Sequence, residues 1–518
     1  MQIGIDFGTT RTVVAAADRG NYPILAFEAP DGGHYDWFPS LLAVHGEERV
    51  YGWEAWSRQQ DPEWTTVRSI KRVLEDAGPH TIIQVGNQAI PLLQLLSEMA
   101  QALKSCLPAA PLQAMLGVPA NANSNQRFLT AEMFRLAGFD VIGLLNEPSA
   151  ASIEFGHKNQ AAGTILVYDL GGGTFDASLV DIGERSHRVL ASEGIPTLGG
   201  DDFDQALAEL AMSEEQRDAL SQAEQFRLQE ECRQKKEAIH PNTRKIALDL
   251  DNVTEGAGPV SIPINDYYDR CRPLLDETVR LVEDLLAAHE APELNALYVT
   301  GGGSDLPLVN RVLKETFGKR VRRSAHTRSA TAIGLAIQAD SEAGYVLREK
   351  FTRYFGVWRE GDGGRRIVFD PLFAKGTPLA GPGEQATEIR RSYTPVHNIG
   401  DFRYLECSHL DEQGQPTGDV TVWDEIRFPF DPSLKEMNGG GDVAVRHSDS
   451  AMSQLVEEAY TCDASGTVGV TITNLSAGYG RQYRLGRWAA KEAAITPGKR
   501  KRRVSTSPSA HRKASRGS

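Results

Sequence analysis

The chain has 518 residues, of which 41% are apolar and 24% charged, and its formal net charge is -14. This composition is typical of a globular protein with several domains, and no apolar run approaches the roughly 18 residues of a membrane-spanning helix. The missing apolar run leads us to expect no transmembrane segment. Five widely spaced cysteines without a CxxC pair argue against a disulfide framework or a zinc cluster, so we expect a cytoplasmic protein.

Strand and helix signals alternate at the start of the chain. The predicted elements are strands at residues 1–7, 12–17 and 112–118 and a helix at 126–137. The first two strands are joined by the turn Gly8-Thr9-Thr10, and Asp6 stands at the end of the first strand. This part of the chain is therefore predicted to be α/β.

A second series of the same kind begins at residue 163. Its predicted elements are strands at residues 164–169, 175–181 and 294–300, helices at 209–238, 272–289 and 330–339, and a basic connector at 317–329. Asp169 precedes the turn Gly171-Gly172-Gly173-Thr174 as Asp6 precedes the first turn, at a spacing of 163 residues. This weak internal duplication predicts two similar α/β lobes that face each other across a cleft.

The pattern changes near residue 340. Residues 342–352 are predicted to form a short charged helix or a linker. From residue 356 to 487, short β-rich runs lie between Gly, Pro and Asp turns, which is typical of a β-sandwich, and 438–442 is predicted to be a flexible loop.

The C-terminal segment is basic. Residues 488–518 hold nine Lys and Arg against one acid, and they are almost free of large apolar side chains, so we predict a disordered tail. Such a tail would suit an anionic surface or nucleic acid, and a solubilising end without a partner is the alternative. The acidic remainder of the chain does not resemble a duplex-binding surface.

The paired turns indicate phosphate binding. A Gly/Thr turn presents backbone N–H groups and hydroxyls that can wrap a terminal phosphate, although a single such turn is more often only a tight hairpin. Asp6 and Asp169 would repel a triphosphate unless a hard cation lay between them, and Mg²⁺ can be held by carboxylates through its waters.

Three further features each have two interpretations. Glu147 follows a strand-like run, and it is either an acid in the first turn of a helix or a carboxylate that positions a water. Lys71 is either a surface lysine or a cation near the γ-phosphate. The Gly301-Gly302-Gly303 run either forms a β–α turn or lets the backbone approach a base or ribose closely. It does not belong to a P-loop or GxGxxG motif, because the sequence contains neither.

Several blocks of the sequence resemble the DnaK-type seventy-kilodalton heat-shock chaperones of the actin-like ATPase superfamily. The blocks are residues 3–12, 70–72, 118–127, 144–152, 167–176, 199–204 and 298–307. The resemblance covers about residues 1–340 and implies an α/β fold with a two-lobed actin-like ATPase domain followed by a β-sandwich. Together with the change of pattern near residue 340, the resemblance divides the chain into an ATPase domain at 1–340, a linker at 341–355, a β-sandwich at 356–487 that would bind substrate, and the tail at 488–518.

The resemblance also implies site residues and cofactors. The protein would bind ATP or ADP with Mg²⁺ and with K⁺ held in part by Asp176. The implied catalytic residues are Asp6, Lys71, Glu147, Asp169 and Thr174, of which Asp6, Glu147 and Asp169 would also surround the hydrated metal. The implied nucleotide contacts are Gly8, Thr9, Thr10, Gly171, Gly172, Gly173, Asp176, Gly199, Gly200, Lys236, Gly301, Gly302 and Gly303. Pro119 and Arg127 match a pair that relays the nucleotide state to the linker in the family.

The sequence departs from the family at the nucleoside end. Lys236 matches the family. Arg233 stands where the family has an acidic residue, and Glu237 stands where it often has a basic residue. His240 stands where the family has Ser. Gly303 and Asp305 replace Ser and Arg, and Arg328 replaces Asp. The triphosphate end is retained, so ATP binding is expected, while the base preference is left open. The family's acidic linker is missing, and no helical lid is expected after residue 487.

These features predict a lidless, slowly hydrolysing heat-shock-type ATPase that binds polypeptide clients under nucleotide control, with co-chaperones as further partners. The alternative is a nucleotide-dependent scaffold with little ATPase activity that binds one dedicated protein partner. A sugar kinase and a filament-forming actin relative are both disfavoured.

Overall fold

The computed structural model describes residues 1–484 except 60, 75–76, 79–80, 160–161, 290–293, 362–365, 381–384, 437–442 and 463–467. The predicted basic tail and the loop predicted at 438–442 lie outside the described residues. No helix in the described part of the chain combines the length and the apolar character needed to span a membrane.

The first lobe is built around a five-stranded mixed sheet. Its strands are β1 (Gln2–Phe7), β2 (Arg11–Ala16), β3 (Phe27–Glu28), β4 (His34–Tyr35), β5 (Phe38–Pro39), β6 (Leu42–His45), β7 (Glu48–Tyr51), β8 (Thr65–Val67), β9 (Ile82–Val85), β10 (Gln88–Pro91), β11 (Gln113–Val118) and β12 (Asp140–Asn146). Its helices are α1 (Gly52–Ser57), α2 (Ile70–Val73), α3 (Leu92–Ser105), α4 (Ser124–Leu136) and α5 (Glu147–Asn159). The main sheet has the order β12-β11-β1-β2-β5.

The second lobe is built around a six-stranded sheet. Its strands are β13 (Gly163–Leu170), β14 (Phe175–Ile182), β15 (Ser186–Ile195), β16 (Lys245–Asp249), β17 (Pro259–Pro263), β18 (Ala296–Thr300), β19 (Val321–Arg323) and β20 (Val346–Arg348). Its helices are α6 (Gly200–Ala211), α7 (Glu214–Asp218), α8 (Gln222–Glu237), α9 (Ile264–Ala288), α10 (Pro307–Phe317) and α11 (Ala330–Ala339). The sheet has the order β19-β18-β13-β14-β15-β20.

The two lobes repeat one topology, which confirms the predicted duplication. The order β12-β11-β1-β2 of the first sheet matches β19-β18-β13-β14 of the second. In both, the first hairpin is antiparallel and the strand beyond it is parallel. Each hairpin turn therefore leaves its sheet at the equivalent position, one residue after Asp6 or Asp169.

The prediction of a single helix at residues 209–238 is wrong. The structure has three helices there, α6, α7 and α8, because Ser213 and Ser221 each begin a new helix as an N-cap. The Ser213 and Ser221 hydroxyls accept from the backbone N–H groups of Gln216 and Glu224, whose side chains bond back to the two serines. This capping box satisfies amides that a helix start leaves without partners.

Residues 342–352 form a connection with one short strand, β20 (Val346–Arg348), which agrees with the predicted linker and not with the alternative of a short charged helix. Val346 and Arg348 in β20 pair in parallel with Ser186 and Arg188 of β15, at the edge of the second sheet. Lys350 Nζ then donates to the Leu190 carbonyl at 2.8 Å. The segment that leads to the C-terminal part of the chain is therefore attached to the second lobe.

The C-terminal part is a β-sandwich, as predicted. Its elements are β21 (Tyr354–Gly361), β22 (Arg366–Phe373), β23 (Thr387–Tyr393), β24 (Ile399–Leu410), β25 (Pro416–Pro429), β26 (Val456–Cys462), β27 (Val468–Asn474), β28 (Tyr479–Arg484) and the short helix α12 (Asp449–Met452). The sheets β22-β21-β24-β25 and β23-β26-β27-β28 enclose a core that includes Phe355, Tyr404, Phe428 and Tyr460. Alternation of buried and exposed residues along β26 and β27 fits a sheet with one buried face.

Helices α5 and α11 pack against each other at backbone distance. A Cβ atom added to Gly334 of α11 would lie 1.8 Å from the carbonyl oxygen of Ala150 in α5. A Cβ atom added to Gly4 of β1 would lie 2.3 Å from the Ala336 nitrogen. Small residues thus let α11 approach both β1 and α5, and α5 begins at Glu147.

Candidate functional site

A cleft between the two lobes gathers most of the site residues predicted from the sequence. Those that line it are Asp6, Gly8, Thr9, Thr10, Lys71, Glu147, Asp169, Gly171, Gly172, Thr174, Gly200, Lys236, Gly301, Gly302 and Gly303. Gly173, Gly199 and Asp176 are not in this lining. The lining comes from both lobes, so a ligand in the cleft would contact both.

The two predicted phosphate turns are closed by equivalent hydrogen bonds. The Gly8 N–H donates to the Arg11 carbonyl at 3.0 Å, and the Gly171 N–H donates to the Thr174 carbonyl at 2.9 Å. A Cβ atom on Gly8 would lie 2.4 Å from that Arg11 oxygen, so the turn requires glycine there. The turns are matched in conformation as well as in sequence.

Gly199 packs against the backbone of the second turn, to which Gly173 belongs. A Cβ atom on Gly199 would lie 2.6 Å from the Gly173 nitrogen. The N–H groups of Gly200 and Asp201, at the start of α6, donate to the carbonyls of Gly171 and Gly172 at 2.9 and 2.7 Å. The start of α6 therefore fixes the backbone of this turn.

Lys71 and Glu147 form a buried ion pair at the base of the cleft. Lys71 Nζ donates to Glu147 Oε1 at 2.6 Å, and both residues are more than nine-tenths buried. Ser69, two residues before Lys71, has the left-handed φ of 55°, which is uncommon for a residue other than glycine. Its hydroxyl donates to Asp201 of the other lobe at 2.7 Å, and this bond helps to hold the strained backbone beside Lys71.

Negative charge exceeds positive charge in this buried region. Burial, with the charge of Glu147 adding to it, raises the pKa of Asp6 to about 7 and that of Asp176 also to about 7. Burial raises the pKa of Asp169 too, with Glu147 and Asp6 as further causes. Burial alone would lower the pKa of Lys71, but Glu147 and Asp6 outweigh it and the net shift is upward. A bound cation would relieve this excess of negative charge.

The donor set fits a hydrated magnesium ion. Carboxylate oxygens are the hard ligands that Mg²⁺ prefers, and the ion usually keeps several of its waters. Among the described residues, no three His, Cys, Asp or Glu side chains are placed to ligate one metal directly. Asp6, Glu147 and Asp169 would therefore hold such an ion through its waters.

Asp6→Asn is expected to stabilise the protein at pH 8 in the absence of metal and nucleotide. Because the pKa of Asp6 is about 7 in the fold and ordinarily 3.8, its contribution to stability is highest below pH 4 and is lost as the pH rises to 7. The corresponding gain for the variant is about 2 to 4 kcal/mol at pH 8, vanishing near pH 4. Urea unfolding in EDTA measures it, with exposed Asp18→Asn as control, and an equal gain at both pH values would contradict the expectation.

The nucleoside end of the cleft is occupied by charged side chains that bond to each other. Glu237 accepts from Arg11 at 2.6 Å and from Arg233 at 3.3 Å, and it lies 3.5 Å from Arg328. Arg328 Nε also donates to Asp305 at 2.7 Å. Four of the six positions that depart from the family thus belong to one network at this end, and they are Arg233, Glu237, Asp305 and Arg328.

Sequence reasoning missed six residues of the lining. These are Arg11, Val13, Asp201, Asp204, Thr327 and Thr331. Arg11 directly follows the first turn, and Asp201 and Asp204 stand in a block that the resemblance already singled out, so these signals were available. The bonding partners of these residues could not be predicted from the sequence, because a pair such as Arg11 and Glu237 is 226 residues apart in the chain.

Cross-lobe bonds continue along the cleft. Arg68 of the first lobe bonds Glu230 of α8, and Arg72 bonds Asp202 of α6 at 2.8 Å. The Arg68 guanidinium also lies 4.8 Å from the ring centre of Phe226. One face of α8 therefore rests on the first lobe and closes the cleft on that side.

Asp176 faces a second cavity, of about 270 Å³, between the lobes and the β-sandwich. Lys71 and Thr174 line both this cavity and the cleft, and Lys375 and His409 line it from the sandwich. The Asp176 carboxylate accepts from the Ala120 N–H at 3.1 Å. The back of the candidate phosphate site thus lies against the sandwich.

The connecting segment reaches the same region. Glu349 is partly buried, and this burial raises its pKa; its carboxylate accepts from the Asn146 N–H at 3.1 Å. Arg127, one of the two predicted relay residues, donates to the Asn146 side chain, and Pro119 lines the second cavity. The segment is therefore bonded to the residue that precedes Glu147.

Comparisons with known proteins agree on one family. A family model described as Hsp70 protein matches residues 92–351. The chain is 30% identical over 368 residues to the chaperone protein DnaK of Mycoplasmopsis synoviae (strain 53), covering 66% of this chain and 59% of that protein. It is 33% identical over 366 residues to the chaperone protein HscA of Klebsiella pneumoniae (strain 342), covering 65% and 57%. The alignments thus span less than two thirds of the length of either relative.

Proposed function

The chain belongs to the Hsp70 family, and on that premise we propose that it is an ATP-hydrolysing chaperone that binds polypeptide through its β-sandwich under nucleotide control. The observation that carries the proposal is the convergence of two acid-headed Gly/Thr turns, Lys71 and Glu147 in one cleft between the lobes. We place the ATPase domain at residues 1–340, the linker at 341–355 and the peptide-binding sandwich at 356–487.

The proposed reaction transfers the γ-phosphoryl group of ATP to water and yields ADP and phosphate. The two Gly/Thr turns would hold the phosphates from opposite sides with backbone N–H groups and threonine hydroxyls. The Glu147 carboxylate would orient the attacking water, and the Lys71 ammonium would stabilise charge on the γ-phosphoryl oxygens as the bond to ADP breaks. Magnesium, held through its waters by Asp6 and Asp169, would neutralise phosphate charge, and Asp176 would contribute to a K⁺ site.

Two contacts support coupling between nucleotide and polypeptide. Glu349 of the linker bonds the backbone of Asn146, next to Glu147, and Lys375 of the sandwich bonds Glu193 of the second lobe at 2.6 Å. Coupling requires that each ligand favour a different arrangement of the molecule. A nucleotide that changed the angle between the lobes would act directly on the Glu349–Asn146 contact, because Glu349 follows β20 of the second lobe and Asn146 belongs to the first lobe.

Peptide binding with and without ATP tests this function. The anisotropy of a fluorescein-labelled extended, apolar peptide reports its affinity for the full chain. We expect ATP with Mg²⁺ to change the dissociation constant about tenfold, which corresponds to a coupling energy of about 1.4 kcal/mol. An affinity that ATP does not change would refute nucleotide control, and recognition of one protein but no peptides would support a dedicated scaffold instead.

Co-chaperones, which we propose as additional partners, would stimulate ATP hydrolysis.

The Lys375–Glu193 pair gives a sharper test of the coupling. Lys375→Glu places two like charges at a partly buried contact, and we expect the effect of ATP on peptide affinity to shrink about threefold. Combining it with Glu193→Lys restores the pair with its charges exchanged and is expected to restore the effect. Lys435→Glu, on an exposed turn of the sandwich, is the control. Failure of the double variant to recover would show that the pair itself is not the coupling contact.

A further inference from the structure

A short segment of the chain lies as an added strand at one end of the β-sandwich. Residues 443–448, which we call the strap, run antiparallel to residues 396–398, which we call the docking edge, and a β-bridge joins His447 to His397. The docking edge directly precedes β24, and the other end of β24 lines the second cavity against the lobes. The strap therefore lies at the end of β24 that is remote from the lobes.

Hydrogen bonds to the strap use its backbone. The Asn398 N–H donates to the Arg446 carbonyl at 2.9 Å, and the Ser448 N–H donates to the Val396 carbonyl at 3.2 Å. The Asn398 side chain adds two bonds, because its Nδ2 donates to the Ala444 carbonyl at 3.2 Å and its Oδ1 accepts from the Arg446 N–H at 2.8 Å. Asn398 thus binds the strap as a neighbouring strand would.

The side chains of the strap contribute little to this contact. Ala444, Val445, Arg446 and His447 are all exposed, Val445 to 41%. The His447 ring lies 4.6 Å from the ring of His397 and adds one side-chain contact. The docking edge therefore holds the strap mainly by groups that every polypeptide carries.

The docking edge is fixed by the sandwich itself. Asn398 is 2% exposed, and its carbonyl accepts from the N–H groups of Phe430 and Asp431 at 2.9 and 3.0 Å. The strap ends at Ser448, whose hydroxyl donates to Asp431 at 2.8 Å and accepts from the Ala451 N–H at the start of α12. Residues 443–447 could thus leave while the edge and Ser448 stay in place.

We infer that a client polypeptide binds as an added strand on the docking edge in place of the strap, so that the chain competes with its own clients for this site. The inference rests on the proposed binding of polypeptide by the sandwich. An extended polypeptide offers Asn398 the same N–H and C=O groups whatever its side chains, and strand addition derives its affinity from such groups. Because the strap belongs to the same chain, its effective concentration is high, and it lowers the apparent affinity for clients.

Weakening the strap should therefore tighten peptide binding. Arg446→Pro removes the N–H that donates to Asn398, and we expect it to lower the dissociation constant of the labelled apolar peptide about fivefold or more, measured by anisotropy on the full chain. Val445→Pro is the matched control, because the Val445 N–H donates no hydrogen bond to any described residue. We expect this control to bind the peptide as the wild type does.

Locking the strap should have the opposite effect. His397 and His447 form a pair without hydrogen bonds between them, and the Cα atoms of such antiparallel pairs are close enough for a disulfide. The lock combines His397→Cys with His447→Cys in a Cys106→Ser background, since the native Cys106 thiol is exposed. We expect the oxidised protein to bind the peptide about tenfold more weakly than the same protein reduced with dithiothreitol.

Equal peptide affinity of the oxidised and reduced forms would overturn the inference and leave polypeptide binding by the sandwich intact. A folded Arg446→Pro protein that binds no more tightly than Val445→Pro would do the same, and thermal unfolding shows whether each variant is folded. Peptide binding by Arg446→Pro alone would support the inference, because the strap would then mask the site in the wild type. If the wild type, Arg446→Pro and the reduced lock variant all fail to bind, the proposed function itself is wrong.

Discussion

Lys71→Ala is expected to slow single-turnover ATP hydrolysis about 100-fold or more while nucleotide binding changes little. The ammonium lies at the base of the cleft, bonded to Glu147, where negative charge would develop on the γ-phosphoryl oxygens. Such a contact is worth most in the transition state, so its loss lowers the rate more than the affinity. Quenched-flow measurement with enzyme in excess over ATP gives the rate of the chemical step.

The control for this variant is Lys235→Ala, because Lys235 is a partly exposed lysine of α8. Removing Lys71 also leaves the buried Glu147 carboxylate without its partner, so the melting temperature of each variant belongs to the measurement. Adding Glu147→Gln removes that unpaired charge. A folded Lys71→Ala protein that hydrolyses ATP at the wild-type rate would contradict the assignment.

Gly334→Ala is expected to lower the free energy of unfolding by about 3 kcal/mol or more. The added methyl group would lie 1.8 Å from the Ala150 carbonyl oxygen, and two helix backbones must move apart to admit it. Because α5 begins at Glu147, the shift should also displace that carboxylate and lower the hydrolysis rate. Urea unfolding monitored by tryptophan fluorescence measures the loss of stability.

Gly78→Ala is the matched control, because a Cβ atom there meets no other atom within 4 Å. We expect its midpoint of unfolding to stay close to that of the wild type. If Gly334→Ala were equally harmless, α5 and α11 could not be held at the distance seen in the structure.

Much of the fold was predictable because its signals are local. The two hairpins carry Asp, Gly and Thr at fixed positions, and the helix at 330–339 has the predicted bounds. The prediction of one helix at 209–238 was wrong because the charged, helical pattern continues across Ser213 and Ser221, each of which caps the start of a new helix. Strand β20 could not be predicted, since its pairing with β15 joins segments about 160 residues apart.

The gathering of the two turns and their acids in one cleft was predictable, and the charged network around Glu237 was not. Glycine turns and their acids are read from neighbouring residues, so Asp6, Asp169 and the two turns could be named in advance. The network around Glu237 depends on side chains from both lobes. Only the folded chain shows that Arg11 and Arg328 meet there and that the substituted charges compensate one another.

A structure determined with Mg²⁺ and a non-hydrolysable ATP analogue tests the central claim most directly. We expect the phosphates to lie between Gly8-Thr9-Thr10 and Gly171–Thr174, with the γ-phosphate next to Lys71 and the metal's waters facing Asp6 and Asp169. Density for the phosphates anywhere else, or a cleft without ligand at saturating analogue, would contradict the claim.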